Sequence, residues 1–306
     1  MTSTMDTTAF PEDRPPAWRP GLPLTFRPPT DDESAPSWPL FASDLGRALG
    51  GAGVTALGRH VLRAAPQGDG HPVLVVPGLG GGDRSTRVLR AMLRHRGYRA
   101  HGWHLGRNLG PTAEVVRGVP ARLAELADRY GRRVSLVGWS LGGLYVRDAA
   151  RRSPEHVRSV ITLGSPVRLT HPAQTRAMGL YLAVAGRHVA AGELPPPEAT
   201  LPPVPAPCTS VFSPWDGIVS WRACVEPAGE RAESVAVVGS HFGLGMHPAV
   251  LWVVADRLAQ PEGRWRPFAA PPALRWLYPP VGSAPDVDGD PHALASDPGP
   301  WDREAG

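Results

Sequence analysis

The chain has 306 residues, 42 % of them hydrophobic, and a formal net charge of +4, enough for one sizeable core with tails beyond it. All of its basic residues other than histidine are arginine, but they are scattered among 28 acids, so no basic stripe points to a nucleic-acid partner. No apolar run approaches the ~20 residues of a spanning helix, and the N-terminus, MTSTMDTTAFPEDRPP, lacks the basic start and apolar core of a signal peptide.

A soluble, cytoplasmic protein is therefore expected, with Cys208 and Cys224 as buried free thiols. The prolines crowd into 11–39, 195–207 and 261–300, which sets the ends apart from the middle. Residues 1–37 read as a Pro-rich disordered extension, 38–260 as the folded domain, and 261–306 as a Pro-rich tail with no assignable fold.

Residues 38–63 carry apolar positions at Leu40, Phe41, Leu45, Leu49, Val54, Leu57, Val61 and Leu62, a helix that Gly46, Gly50, Gly51 and Gly53 are expected to break. The ordered core is expected to start at His71. Val73–Val76 is short, β-branched and bounded by proline on both sides, so it reads as a buried strand. The loop Pro77-Gly78-Leu79-Gly80-Gly81-Gly82 follows, then a helix that Asp83 would cap and Gly97 would end.

A strand over 98–105, a helix opened by Thr112, a strand at 134–137, a helix from about 141 to 152 and a strand at 158–163 continue the alternation. Connections of this length predict an α/β fold with a mostly parallel sheet and helices on both faces. The rhythm breaks at 166–207, which reads as a small cap insertion with an apolar helix-like piece through Ala177, Leu180, Tyr181, Ala183, Val184 and Val189. Strands at 208–212 and 234–238 and a helix at 248–259 close the domain.

Residues 138–142 read Gly-Trp-Ser-Leu-Gly between a strand and a helix. That setting lifts Ser140 out of the sheet on a sharp turn, which makes it the candidate nucleophile. A serine hydroxyl needs a base, and the base needs an acid to orient it. In such sheets the chemistry sits beyond the carboxyl ends of the strands. Asp216, after the strand at 208–212, and His241, after the strand at 234–238, stand there in the order acid then base. The backbone N–H groups of Leu79 and Leu141 are the candidate oxyanion donors.

Other readings of these residues weaken on inspection. The glycine loop at 77–82 matches neither Gly-x-Gly-x-x-Gly nor a Walker pattern. Asp148 and Asp256 fall inside helices and read as surface or pairing residues. His247 precedes Pro248 and reads as a cap or pocket residue. His101 and His104 are three apart on a strand and make a poor metal pair. Asp286, Asp288 and Asp290 imitate a calcium loop, but Pro291 stands where that loop needs glycine. No metal or organic cofactor is expected.

The segments VLVVPGLGGGDRST, LGRNLGPT, VGWSLGG, SPWDGIVSW and GSHFGLGMHPAV, spread from about 71 to 259, resemble a bacterial α/β-hydrolase of the serine esterase or lipase type. The resemblance implies the Ser140–Asp216–His241 triad, a loop at 77–82 that shapes the oxyanion hole, and no metal or cofactor. It departs from the pattern at Pro77-Gly78, where many lipases have His-Gly. It makes Arg107 and Asn108 candidates to line or brace the site. Trp139, Trp215 and His247 are further pocket candidates, and the cap's apolar helix, with Leu180 and Tyr181, either covers an acyl pocket or simply packs on the sheet.

The reaction expected is hydrolysis of carboxylic esters, acyl or lipid-like, through an acyl-serine intermediate, with a small-molecule ester or lipid as the partner. Acyl transfer to an alcohol, thioester or amide cleavage by the same triad, and a non-catalytic binding module on a hydrolase fold all remain open. So do the acyl length and the oligomeric state.

Overall fold

The computed structural model describes residues 33–189 and 197–279. Among these described residues six strands form one sheet in the order β2-β1-β3-β4-β5-β6, every neighbouring pair parallel. They are β1 (Pro72–Val76), β2 (Arg99–Gly102), β3 (Val134–Trp139), β4 (Val157–Leu163), β5 (Cys208–Phe212) and β6 (Ala232–Ala236). The longer helices are α1 (Trp38–Arg63), α2 (Arg87–His95), α3 (Ala113–Tyr130), α4 (Leu141–Arg152) and α6 (Pro248–Leu258), with the short α5 (Met178–Ala183) in the insertion.

Strand alternation places successive residues on opposite faces. Val73 and Val75 pack with Leu89 and Leu93 of α2 and Val250 and Val254 of α6. Leu74 and Val76 pack on the other side with Val115, Val119 and Leu123 of α3 and Val146 of α4. All of β1 and β3 is buried, as expected for parallel strands covered on both faces. Burying each such aliphatic side chain contributes roughly 1.5–3 kcal/mol.

Several boundaries differ from the sequence reading. α1 is one continuous helix and its glycines do not break it. A glycine costs about 1 kcal/mol in a helix interior, but tertiary packing outweighs that: Asp44, Ala48 and Leu62 are buried. The ordered structure therefore begins well before His71. Asp83 does not cap α2, which starts at Arg87 after Thr86. Its carboxylate instead accepts from the amides of Trp103 (3.1 Å) and His104 (3.3 Å), where His104 turns to φ 63° and ends β2 early. β6 begins at Ala232, two residues earlier than expected.

The insertion is held from behind by a buried ion cluster. Arg147 of α4 pairs with Glu198 and Glu226, each at 2.5 Å, and Arg151 pairs with Glu198 at 2.6 Å. Its helical piece is shorter than the sequence implies, ending as α5 at Ala183 before a 3-10 turn at Ala185–Arg187. Part of the C-terminal tail is folded. Phe268, Leu274 and Tyr278 pack on the α2/α6 side of the sheet, and the Val238 amide donates to Leu277 O at 3.1 Å. The extension before residue 33 and the aspartates at 286, 288 and 290 lie outside the described residues. Among the described residues no helix is long and apolar enough to cross a membrane.

Candidate active site

Ser140 occupies the single position between β3 and α4, at φ 52° and ψ −124°. A non-glycine residue at positive φ is strained, and the surrounding structure must hold it there. The Ser140 amide donates to Leu163 O at 2.8 Å, and the Gly143 amide donates to Ser140 O at 2.9 Å. The flanking glycines are required by space. A Cβ on Gly138 would lie 2.5 Å from Gly142 O, and one on Gly142 would lie 2.5 Å from Val76 O. The Gly-x-Ser-x-Gly spacing thus reflects helix α4 pressed against the ends of β1 and β3.

The loop after β1 passes beside the serine, so that a Cβ on Gly78 would lie 2.9 Å from Ser140 Cβ. Asn108 holds this loop. Its Nδ2 donates to Pro77 O at 2.8 Å, its amide donates to Gly81 O at 2.7 Å, and its carbonyl accepts from the Gly80 amide at 2.7 Å. Asn108 is fully buried and so braces the site without lining it, whereas Arg107 is exposed and lines neither cavity beside Ser140. Leu141 is the first residue of α4, where a backbone N–H has no partner within the helix. Leu79 sits in the braced loop and borders the same space as Ser140.

Asp216 and His241 are brought together by the loops after β5 and β6. Asp216 Oδ2 lies 2.6 Å from His241 Nδ1, while Oδ1 accepts from the amides of Ile218 and Val219, both at 2.8 Å. The carboxylate is thereby fixed in orientation, and both side chains are buried. Ser213 links the two loops by donating to Gly239 O at 2.7 Å.

One residue of the site escaped the sequence reading. Asp44, on α1, accepts from the amides of Gly217 and His241 at 2.9 Å each through Oδ2, and from the Phe242 amide at 3.0 Å through Oδ1. It clamps the acid loop and the base loop to one helix. Arg47 adds a bond to Trp215 O at 2.9 Å. The available signal was that Asp44 is the lone acid in 38–63 and sits among apolar positions.

Burial pulls the His241 imidazole down. The charge of Asp216, the hydrogen bond to it, and the charge of Asp44 outweigh that, and the pKa ends above 6.5.

Two spaces meet at Ser140. A cavity of about 640 Å³ is walled by Phe41, Leu45, Leu79, Trp139, Leu180, Ile218, His241 and Phe242. A pocket of about 50 Å³ lies beside Leu79, Leu141, Leu144, Met178, Tyr181 and Val219. Of the expected pocket residues, Trp139 and Leu180 line the large cavity and Tyr181 the small pocket. Trp215 and His247 do not line either. They border a separate space with Arg47, Ala48 and Ser240. His247 instead caps α6, its Nδ1 accepting from the Ala249 amide at 3.3 Å.

Asp148 pairs with Arg152 and Asp256 with Arg257, and neither borders the cavities at Ser140. His101 bonds the Tyr130 hydroxyl at 2.9 Å. Cys208 and Cys224 are free and buried.

A wholly parallel sheet whose strand order reverses at β1, carrying a strained serine elbow after its third strand, has the α/β-hydrolase fold. No family model matches the sequence, and no curated protein matches it. Among solved structures, the chain is similar to a lipase of Bacillus licheniformis in its propeptide form, at 17 % identity over 68 % of this chain and 54 % of that one, with a TM-score of 0.44. It is similar to a pyrethroid hydrolase of Sphingobium faniae at 14 % identity, covering 62 % of this chain and 98 % of that one, with a TM-score of 0.45. It is also similar to lipase B of Aspergillus fumigatus at 16 % identity, covering 68 % of this chain and 58 % of that one, with a TM-score of 0.49. The match thus spans only about half the length of the Bacillus and Aspergillus lipases.

Proposed function

We propose that the protein is a serine hydrolase that cleaves carboxylic esters with apolar groups through an acyl-serine intermediate. The observation that carries this reading is the hydrogen-bonded Asp216–His241 pair, whose histidine lines a largely apolar cavity together with a serine held at positive φ.

In the proposed cycle Ser140 Oγ attacks the ester carbonyl carbon and His241 Nε2 takes the hydroxyl proton. The carbonyl oxygen becomes an oxyanion, for which the N–H groups of Leu79 and Leu141 are the donors. His241 then protonates the leaving alkoxy oxygen, the carbon–oxygen bond breaks and the alcohol departs. Water repeats the sequence: its oxygen bonds the acyl carbon, His241 takes its proton, and the bond to Ser140 breaks. The proton returns to Oγ and the acid leaves. Asp216 holds Nδ1–H and stabilises the imidazolium at each step. Each oxyanion donor is worth on the order of 3 kcal/mol of barrier.

The test is a fluorophosphonate probe together with p-nitrophenyl esters, applied to wild type and Ser140→Ala. Labelling and hydrolysis are expected in wild type and are both lost in the variant. Folded wild-type protein that neither labels nor hydrolyses any ester overturns the assignment.

A further inference from the structure

The two spaces that meet at Ser140 differ more than tenfold in size, and only one of them contains the base. His241 and Phe242 wall the cavity of about 640 Å³. The pocket of about 50 Å³ is bordered by Leu141, Leu144, Leu169 and Met178, and His241 is not among its walls. Leu79 and Ser140 border both spaces, so the reacting carbonyl carbon sits at their junction.

Proton transfer decides which half of an ester occupies which space. His241 must deliver its proton to the leaving oxygen, so that oxygen and the alcohol group attached to it lie on the His241 side. The acyl chain departs from the same carbon in another direction, and the small pocket is the space open to it there. A volume of about 50 Å³ accommodates on the order of two to four heavy atoms. Its walls Leu144, Leu169 and Tyr181 are buried together in a packed cluster, so the pocket deepens only if they move. The larger space has the size of a site for a drug-sized ligand, and its walls include the apolar side chains of Phe41, Leu45, Leu180 and Phe242.

We propose that the site is selective for esters of short-chain acids with bulky apolar alcohols, the acyl group seated beside Leu141, Leu144 and Met178 and the alcohol beside His241, Leu45 and Phe242. The proposal rests on the Ser140 and His241 roles given under Proposed function. It deepens the ester reading by placing the lipid-like part of the substrate on the alcohol.

The experiment measures kcat/KM along two series, p-nitrophenyl esters from acetyl to octanoyl, and acetate esters of alcohols from methyl to decyl. Fluorophosphonate labelling of the same preparations is recorded alongside. An added methylene that a pocket rejects costs about tenfold or more. The acyl series is therefore expected to fall at least about tenfold between butyryl and hexanoyl, and the alcohol series to rise at least about tenfold from methyl to hexyl as apolar surface is buried.

Met178 begins α5 and is half-buried, so Met178→Ala is compatible with folding. It should raise the hexanoyl-to-acetyl ratio about tenfold and leave the slope of the alcohol series in place. Leu45 is 59 % exposed, and Leu45→Asp should flatten the alcohol series instead. Labelled enzyme that prefers octanoyl esters, or a Met178→Ala variant that alters the alcohol series rather than the acyl series, overturns this proposal and leaves the serine-hydrolase reading standing. Absence of labelling and of all turnover overturns both.

Discussion

Two Ser–His–Asp arrays occupy opposite ends of the same sheet. Beyond the carboxyl ends of the strands lie Ser140, His241 and Asp216. At the amino ends, Asp69 Oδ1 lies 2.5 Å from His71 Nδ1, and His71 Nε2 lies 2.9 Å from Ser135 Oγ. The residue types are the same, but by hydrogen bonding the second array is the more complete. Yet Ser135 is fully buried within β3, bonded on to Ser159 at 3.0 Å, while Asp69 is held by Arg132 and Arg158. Ser140 stands on a strained turn facing a cavity.

The electrostatics run in opposite directions as well. At His71 burial dominates and lowers the pKa to about 4, with Arg158 and Arg132 adding to it against Asp69. At His241 two carboxylates overcome burial and raise the pKa. A serine, a histidine and an aspartate in contact are therefore not sufficient. Access, a turn that exposes the oxygen, and a charge balance that welcomes the imidazolium distinguish the proposed active site from the buried array at the amino ends.

The sharpest way to break this contrast is to remove each serine in turn. Ser140→Ala should lower kcat by about 10⁴-fold or more and abolish fluorophosphonate labelling, whereas Ser135→Ala should keep near-wild-type turnover. Activity that survives Ser140→Ala and dies with Ser135→Ala reverses the two assignments. Next in size, Asp216→Asn should cost about 10⁴-fold in kcat by favouring the wrong His241 tautomer. Asp148→Asn and Asp256→Asn, which border neither cavity at Ser140, should retain most of it in the same assay.

Much of the carboxyl-end array is legible in the sequence, and the reasons are local. Gly138 and Gly142 are fixed by backbone approaching backbone, which writes a short pattern. Asp216 and His241 follow strands whose β-branched runs are readable. Asp44 is not readable in that way, because its three partners lie more than 170 residues away and depend on how α1 crosses the finished sheet. Counting glycines also misjudged α1: propensity argued for a break, and packing overrode it. Trp215 and His247 adjoin the right motifs in sequence, but the loops that present Asp216 and His241 turn them away. The amino-end array drew no notice in the sequence since Asp69, His71 and Ser135 carry no motif at all.

Asp44 offers an intermediate effect. Asp44→Asn puts an amide donor against the Phe242 or His241 N–H and removes one of the charges that raise the His241 pKa. Loosening both loops should lower kcat/KM by about 10- to 100-fold. The pH profile separates this from a loss of folding. With neutral His241 as the proposed base, the acid limb of kcat/KM should lie above 6.5 in wild type and move to lower pH in the variant. An unmoved limb would mean that Asp44 contributes only scaffolding.

The smallest effect on turnover, and the most direct probe of the contrast, is the pH dependence of folding. The folded His71 pKa of about 4 lies below its ordinary 6.5, so the unfolded chain binds the extra proton first. Stability from this group is fully present above 6.5 and is lost as pH falls toward 4, by on the order of 3 kcal/mol. His241 has the opposite sign: its contribution is present below 6.5 and lost as pH rises through its raised folded value. Urea unfolding of wild type at pH 4.5, 5.5 and 7 should therefore show stability rising with pH over that range. His71→Gln should make the rise shallower, the remainder coming from His101, His188 and His247, which burial also lowers, while leaving ester hydrolysis at pH 7 close to wild type. A variant that keeps the full slope would show that His71 is not the group titrating. A variant that folds normally but loses activity would mean that the two ends of the sheet are coupled, against the division of labour argued from their geometry.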